Sequence, residues 1–456
     1  MRSAVIFLMM AWAANAGAEP LTIDQAVREA LVNSPLIQQE AANRQAAIYG
    51  EKEARTAFFP RLATAYSYQN LADAPFVNIN GNQVTTNSRD QHHWEVSLSQ
   101  PLFSGFAISA RHHLAQLGLE TRELEMQQAR LEVVLQVKQG CFRLLMAEKT
   151  LDVAQSNESA LAAHEADARV FHENGLVPLN DLLKARVARA EATQQLHRAV
   201  AGVKEARSAL CLAMGRTYDS DIAIIDQTTA APLASNVKTQ VEQALEARPE
   251  VAVLKQSIRS KETALRLTQS NYYPHIDLLG RYQQDGDDPG ARNNDYSNQY
   301  NATIGIQAKW VFFEAGKTRA GAARAHAERR AAEKALRKIE DGVRLQVIRA
   351  RLDLEVAIHN IETARQALEQ AREHWRITDT LYRQQMTTST EVLDARNYLN
   401  RAENAYFDAH YSRGTAMAQL QWAMGRLKPD DAEQLVEMNQ RQQTGNHIEL
   451  TQGIGR

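Results

Sequence analysis

Between residues 22 and 57 the apolar positions recur at helical spacing, and Pro35 divides that helix into two pieces. After Pro60 the period drops to two. RLATAYSYQN (61–70) sends Leu62, Tyr66 and Tyr68 to one face and Ala63, Ala65, Ser67 and Gln69 to the other. WEVSLSQ (94–100) alternates in the same way, with Trp94, Val96 and Leu98 opposite Glu95, Ser97 and Ser99. Farther on, HIDLLGRYQ (275–283) sets Ile276, Leu278 and Tyr282 against His275, Asp277, Arg281 and Gln283, with Leu279 as an exception. QYNATIGIQAKW (299–310) sets Tyr300, Ile304, Ile306 and Trp310 against Asn301, Thr303, Gln307 and Lys309. The segments between the paired strands, 72–91 and 285–298, are polar and read as loops.

The rest of the chain has helical periodicity. Phe106 to Glu173 contains no proline, and 68 residues of helix span ~100 Å at ~1.5 Å per residue. From Lys317 to about Gln385 a second long helix carries Leu336, Ile339, Val343, Val347, Ala350, Leu354 and Ile358 at steps of three and four, a coiled-coil seam. The returning helix alternates large and small residues along its seam, from Leu196 through Ala199, Val203, Ala206 and Leu210 to Ala213.

These elements come twice. ALCLAMGR (209–216) and QLQWAMGR (419–426) stand 210 residues apart, as do Leu182–Arg186 and Val392–Arg396, and Leu102–Phe103 and Phe312–Phe313. Phe58-Phe59-Pro60 and Tyr272-Tyr273-Pro274 are 214 apart, as are the Ala-Leu pairs before Pro35 and Pro249. The offset changes once, inside the strand region, so one loop there is shorter. The predicted organisation is a first repeat at 19–216, a connector at 217–236, a second repeat at 237–426 and a polar tail at 427–456.

Composition changes the picture in three places. The net charge of −2 does not mark a general nucleic-acid binder. Residues 1–18 carry Arg2, an apolar run from Ala4 to Ala14 and Ala16-Gly17-Ala18, the pattern of a secretory signal cut between Ala18 and Glu19. No cysteine stands at that cut to take a lipid. The two cysteines, Cys141 and Cys211, lie equally far from a helical turn centred near residue 176. Antiparallel helices would bring them level, so they are either a disulfide formed in an oxidising compartment or two buried thiols.

Four strands with one apolar and one polar face fit half of a soluble sandwich or a share of an outer-membrane barrel. On the barrel reading Glu95, Asp277, Arg281 and Lys309 face the lumen, and four strands cannot close alone. His92-His93 and His112-His113 read as solvated, because adjacent histidines point apart and no cluster completes a metal site. No phosphate loop, zinc motif or nucleophile elbow is present, so neither catalysis nor a cofactor is expected.

The ordered set of ALxxxP words, FFP and YYP before the strands, LFSG and FFEAGK after them, GLVPLNDLLKAR and TTSTEVLDARN at the helical turns, and the AMGR endings resembles the TolC family of bacterial outer-membrane channels. The resemblance implies a mainly α, internally duplicated fold. Three chains would join their strands into a 12-stranded transmembrane barrel, and their helices would form a periplasmic α-barrel. It further implies the non-acylated branch, an outer-membrane location in a Gram-negative bacterium, and partnership with a periplasmic adaptor and an inner-membrane pump. The function implied is an exit duct for tripartite efflux or type I secretion.

Matching motif positions, Asn180 and Asp181 fall on the tip of the first turn, and Tyr382, Glu391 and Asp394 on that of the second. In a trimer each acid becomes a ring of three carboxylates, which makes a pore prefer cations. Helix capping by Asn180 or Asp181, and a capping box at Thr388 and Glu391, are compatible with that role. A soluble periplasmic scaffold or pump adaptor is the competing reading. It accounts for the coiled-coil seams but not for the duplicated strand pair with its aromatic, apolar face.

Overall fold

The computed structural model describes residues 20–226 and 236–427. The signal segment, with Ala18 and Glu19, lies outside the described residues, as does the tail beyond Leu427.

Two repeats of matching elements build the chain. The first holds α1 (Ile23–Asn33), α2 (Pro35–Thr56), β1 (Arg61–Asn70), β2 (Phe76–Ile79), β3 (Asn82–Thr85), β4 (Asp90–Phe103), α3 (Ala107–Glu173) and α4 (Leu179–Ala213). The second holds α5 (Val237–Ala247), α6 (Pro249–Gln269), β5 (His275–Gly286), β6 (Tyr300–Lys309), α7 (Lys317–Arg383) and α8 (Ser389–Ala423). Both long helices have 67 residues and both return helices 35. The duplication extends to backbone strain: Gly175 and Gln385 after the long helices, and Gly215 and Gly425 after the return helices, all have positive φ. At each helix end the same pair of bonds closes the turn, Leu176 N–H to Phe171 O and Gly175 N–H to His172 O, matched by Met386 to Leu381 and Gln385 to Tyr382.

The α1 helix starts at a reciprocal capping box, Thr22 with Gln25, and ends before Pro35, where the sequence predicts the break. The connector's first residues pack down, with Ile222 1% exposed and Ile224 bridged in parallel to Leu21.

The strand region differs from expectation in one loop. Residues 76–85 form the hairpin β2–β3, turned at Asn80-Gly81, both with positive φ. Asn-Gly between apolar residues is a strong two-residue turn signal. This hairpin accounts for the change of offset between the repeats.

The described chain forms two compact units. One comprises residues up to 40, 126–249 and from 340 on, and is wholly helical in its regular structure. Its core follows the predicted seams: Val343, Val347, Ala350 and Leu354 on α7 are at most 3% exposed, as is Leu210 on the α4 seam. The seam on α7 then passes to Ala357, leaving Ile358 38% exposed. The other unit, residues 41–125 and 250–339, carries the four-stranded sheet.

Candidate functional site

The sheet has the order β1-β4-β5-β6 with every pair antiparallel. Register decides the faces. Leu62 is opposite Leu98, Tyr66 opposite Trp94, Val96 opposite Tyr282 and Leu278 opposite Ile306, so the four apolar sets form one continuous face. On the other face Glu95 is opposite Gln283, Ser97 opposite Arg281, Asp277 opposite Gln307 and His275 opposite Lys309.

The apolar face is exposed in the single chain, with Leu62 76%, Ile304 78% and Ile306 70% accessible. At the sheet end that adjoins the helices, Phe58, Phe59, Tyr272, Tyr273, Trp310, Phe312 and Phe313 are all exposed. Tyr68 and Tyr300 are exposed toward the other end. An apolar band flanked by aromatics at both ends is the surface a lipid-facing strand set presents. Among the described residues β1 pairs only with β4 and β6 only with β5, leaving an open edge on each side.

On the polar face Arg281 Nε lies 3.4 Å from Glu95 Oε2. Asp277 and Lys309 share that face but make no ion pair within it. The solvated reading holds for the exposed His113 and is corrected for the other three histidines. His93 Nδ1 lies 2.6 Å from Asp285, His92 Nδ1 2.7 Å from the Tyr66 hydroxyl, and His112 Nε2 2.7 Å from Glu51. Each partner stands on another element, so no local pattern around the histidine signals it.

The helical turns at the far ends of α3 and α7 hold the predicted tip residues. Asn180, Glu391 and Asp394 are exposed, and Asp181 is half-buried. Asp181 faces Lys184 at 3.7 Å, and Lys184 donates to Thr390 Oγ1 at 3.1 Å, linking the two turns. The capping expectation for Asn180 and Asp181 is corrected: Pro178 is the N-cap of α4, without a side-chain bond, and both residues sit in the first turn. Thr388 does cap α8, accepting from the Glu391 N–H at 3.3 Å.

Tyr382 is not a surface residue of its turn. It is 2% exposed, its ring 4.7 Å from His164 and 5.6 Å from Phe171. His164 in turn contacts Ser389 Oγ at 2.8 Å. Burial holds the His164 imidazole below its ordinary range, against the charges of Asp167, Asp379 and Asp181.

Comparison with known families decides the identity. The model for outer membrane efflux proteins matches residues 26–216 and, separately, 240–426. The chain belongs to the outer membrane efflux protein family.

The two matches coincide with the two repeats. Solved structures share the fold of this efflux family member. The CmeC outer membrane channel of Campylobacter jejuni is 14% identical over 91% of this chain and 88% of its own, with a TM-score of 0.79. The outer membrane protein VceC of Vibrio cholerae is 16% identical over 88% and 96%, at 0.75. The open state of the MtrE outer membrane channel of Neisseria gonorrhoeae is 17% identical over 90% of each chain, at 0.72. No curated protein sequence matches the chain.

Sequence reasoning missed two polar clusters in the helices of this efflux protein. Glu165, 9% exposed at its side chain, accepts from Arg169 at 2.9 Å and Arg189 at 3.0 Å, with Arg186 at 3.6 Å. The Arg189 bond, more than the others, holds its carboxyl below the usual range. A depressed carboxylate stabilises the fold above its unfolded pKa and loses that contribution as pH falls through the folded value. Glu165→Gln is therefore expected to destabilise the protein at pH 7 and to match wild type only in acid well below the ordinary glutamate pKa of ~4.3, once the lowered folded value has been passed. Urea unfolding at both pH values checks this.

The second cluster surrounds Arg396, taken up in the Discussion. Of the two readings of the cysteines, the structure shows the buried thiols. Cys141 and Cys211 are free and buried. The helices do align as predicted, but Gly140 is the residue packed against Leu210, and the Cys211 thiol donates instead to Ser220 O at 3.4 Å. Burial pushes the Cys141 thiol up to about 12 and raises Cys211 too. Thiol titration without reductant is expected to find both thiols after denaturation and none before. A mass showing the bridge would refute the geometry.

Proposed function

We propose that this chain is the outer-membrane exit duct of a tripartite efflux pump, acting as a homotrimer. One observation carries this reading: a four-stranded antiparallel sheet with a lipid-like face, a polar face and two open edges. An even number of alternating strands leaves β6 and β1 running in opposite directions. The β1 edge of a second copy therefore fits the β6 edge as one more antiparallel pair. Such a head-to-tail contact closes into a ring when the rotation permits. Four strands per copy fall short of the roughly eight a membrane barrel needs, and three copies supply twelve.

On this reading the polar face, with Glu95, Asp277, Arg281 and Lys309, lines the barrel. The helices reach into the periplasm, and the turns at 174–178 and 384–388 meet an adaptor and an inner-membrane pump. Substrate moves passively through the duct. The test is fractionation with native mass. The protein should stay in outer membranes through a salt wash and run as a trimer in detergent. A monomer released by the wash would support a soluble periplasmic scaffold instead.

A further inference from the structure

Two open grooves run along the duplicated helix pairs, the first between α3 and α4 with α8 beside them, the second between α7 and α8 with α3 beside them, and every α3 and α4 residue that lines the first has its repeat equivalent in the second. Arg143, Met146, Ala147, Arg198, Ala199 and Gly202 line the first, of ≈ 460 Å³. Asp353, Val356, Ala357, Asp408, Ala409 and Ser412 line the second, of ≈ 710 Å³. The small, mostly apolar walls are kept from one repeat to the other. The charge is not: both arginines of the first groove are aspartates in the second. Among the described residues none of the four has an ion-pair partner, and all four are exposed.

Surface charges scattered by drift need not invert twice within one pair of matched cavities. Both volumes lie in the range of pockets for small organic ligands, which combine apolar walls with a few placed polar groups. A like-charged pair in such a groove favours a ligand of the opposite charge. Position ties the grooves to the duct. Asp408 lies 14 residues, two heptads, beyond Asp394 on α8, and Arg198 lies two heptads beyond Lys184 on α4. Heptad spacing keeps residues on one face of a supercoiled helix. The grooves therefore open on the faces that carry Asp394 and Lys184, the ion-pair partner of the tip residue Asp181, and on the duct reading these faces look into the pore.

We propose that the two grooves are charge-sorted binding sites for amphiphilic substrates on their way through the duct: organic anions in the α3/α4 groove, organic cations in the α7/α8 groove. The proposal rests on the duct reading for its place in the pore. In a trimer, three arginine grooves and three aspartate grooves share one level of the wall. The duct then holds both kinds of amphiphile and passes them on from separate sites.

The test uses tetraphenylphosphonium and tetraphenylborate, ions of near-identical size and opposite charge. Each is titrated as a blocker of single-channel current. In Asp353→Asn/Asp408→Asn the concentration of tetraphenylphosphonium that halves the current should rise about tenfold, with tetraphenylborate unchanged. Arg143→Gln/Arg198→Gln should do the converse. Both ions partition into the bilayer alike for every variant, so the comparison cancels that background. Exposed positions leave the fold intact, and unblocked conductance equal to wild type checks it. Variants that shift neither ion, or both ions equally, overturn the proposal. If wild type forms no channel the duct reading fails, and calorimetric binding of the two ions to detergent-solubilised protein still decides the grooves by the same pattern.

Discussion

Replacing Asp181, Glu391 and Asp394 together by alanine raises single-channel conductance several-fold and weakens the preference for cations. Each carboxylate is tripled in the proposed trimer, and acidic rings at a constriction bind cations and set selectivity. Asp181 does more than contribute charge. It faces Lys184, and Lys184 reaches across to Thr390 Oγ1 at 3.1 Å. Without Asp181 that ammonium loses its counter-charge, and the link between the first turns of α4 and α8 loosens. The capping role does not confound the experiment, because the Thr388 hydroxyl, not the Glu391 side chain, caps α8. Bilayer recordings of the triple variant against wild type check this. Unchanged conductance and selectivity would return the three carboxylates to ordinary helix starts.

Arg396→Ala destabilises the helical unit by about 3 kcal/mol, given that hydrogen bonds to charged groups contribute ~1.5–3 kcal/mol each and the truncation leaves a cavity. Arg396 lies on α8 and is 4% exposed. Its Nε donates to Asn157 Oδ1 at 2.8 Å and a terminal nitrogen donates to Ser156 Oγ at 3.3 Å, both on α3. The guanidinium stands 5.5 Å over the Trp375 ring on α7. One side chain thus joins three helices. Burial lowers its pKa, and the nearby Glu403 charge opposes that shift. Removing it strands Asn157, itself 4% exposed, with an unmet carbonyl. Arg396→Met restores volume but not that bond and should recover only part of the loss. The urea midpoint of each variant, at constant slope, measures the effect. A shift below about 1 kcal/mol would show that the cluster relaxes without cost.

Much of this fold was legible because duplication writes the same physics twice. The period-two segments at 61–70, 94–100, 275–283 and 299–310 became β1, β4, β5 and β6, with β4 running to Asp90–Phe103 because it pairs on both sides. The seam residues Val343, Val347 and Leu354 are buried as spacing requires. What stayed hidden depends on partners far along the chain. Arg396 and Glu165 belong to residue types that mostly face solvent, yet Arg396 meets Asn157 from 239 residues away and Glu165 takes Arg189 from the opposite helix. Tyr382 reads as a turn residue but is held inside by His164, on another helix. The cysteines illustrate the finer limit: spacing brought their helices level, but which side chain faces across, Gly140 or Cys141, is a matter of helix rotation.

The measurement that bears most directly on the account is single-channel recording of the purified mature protein in a planar bilayer. The account predicts small, discrete, cation-preferring openings from a trimer. Failure to insert, with the protein soluble and stable without detergent, would contradict it.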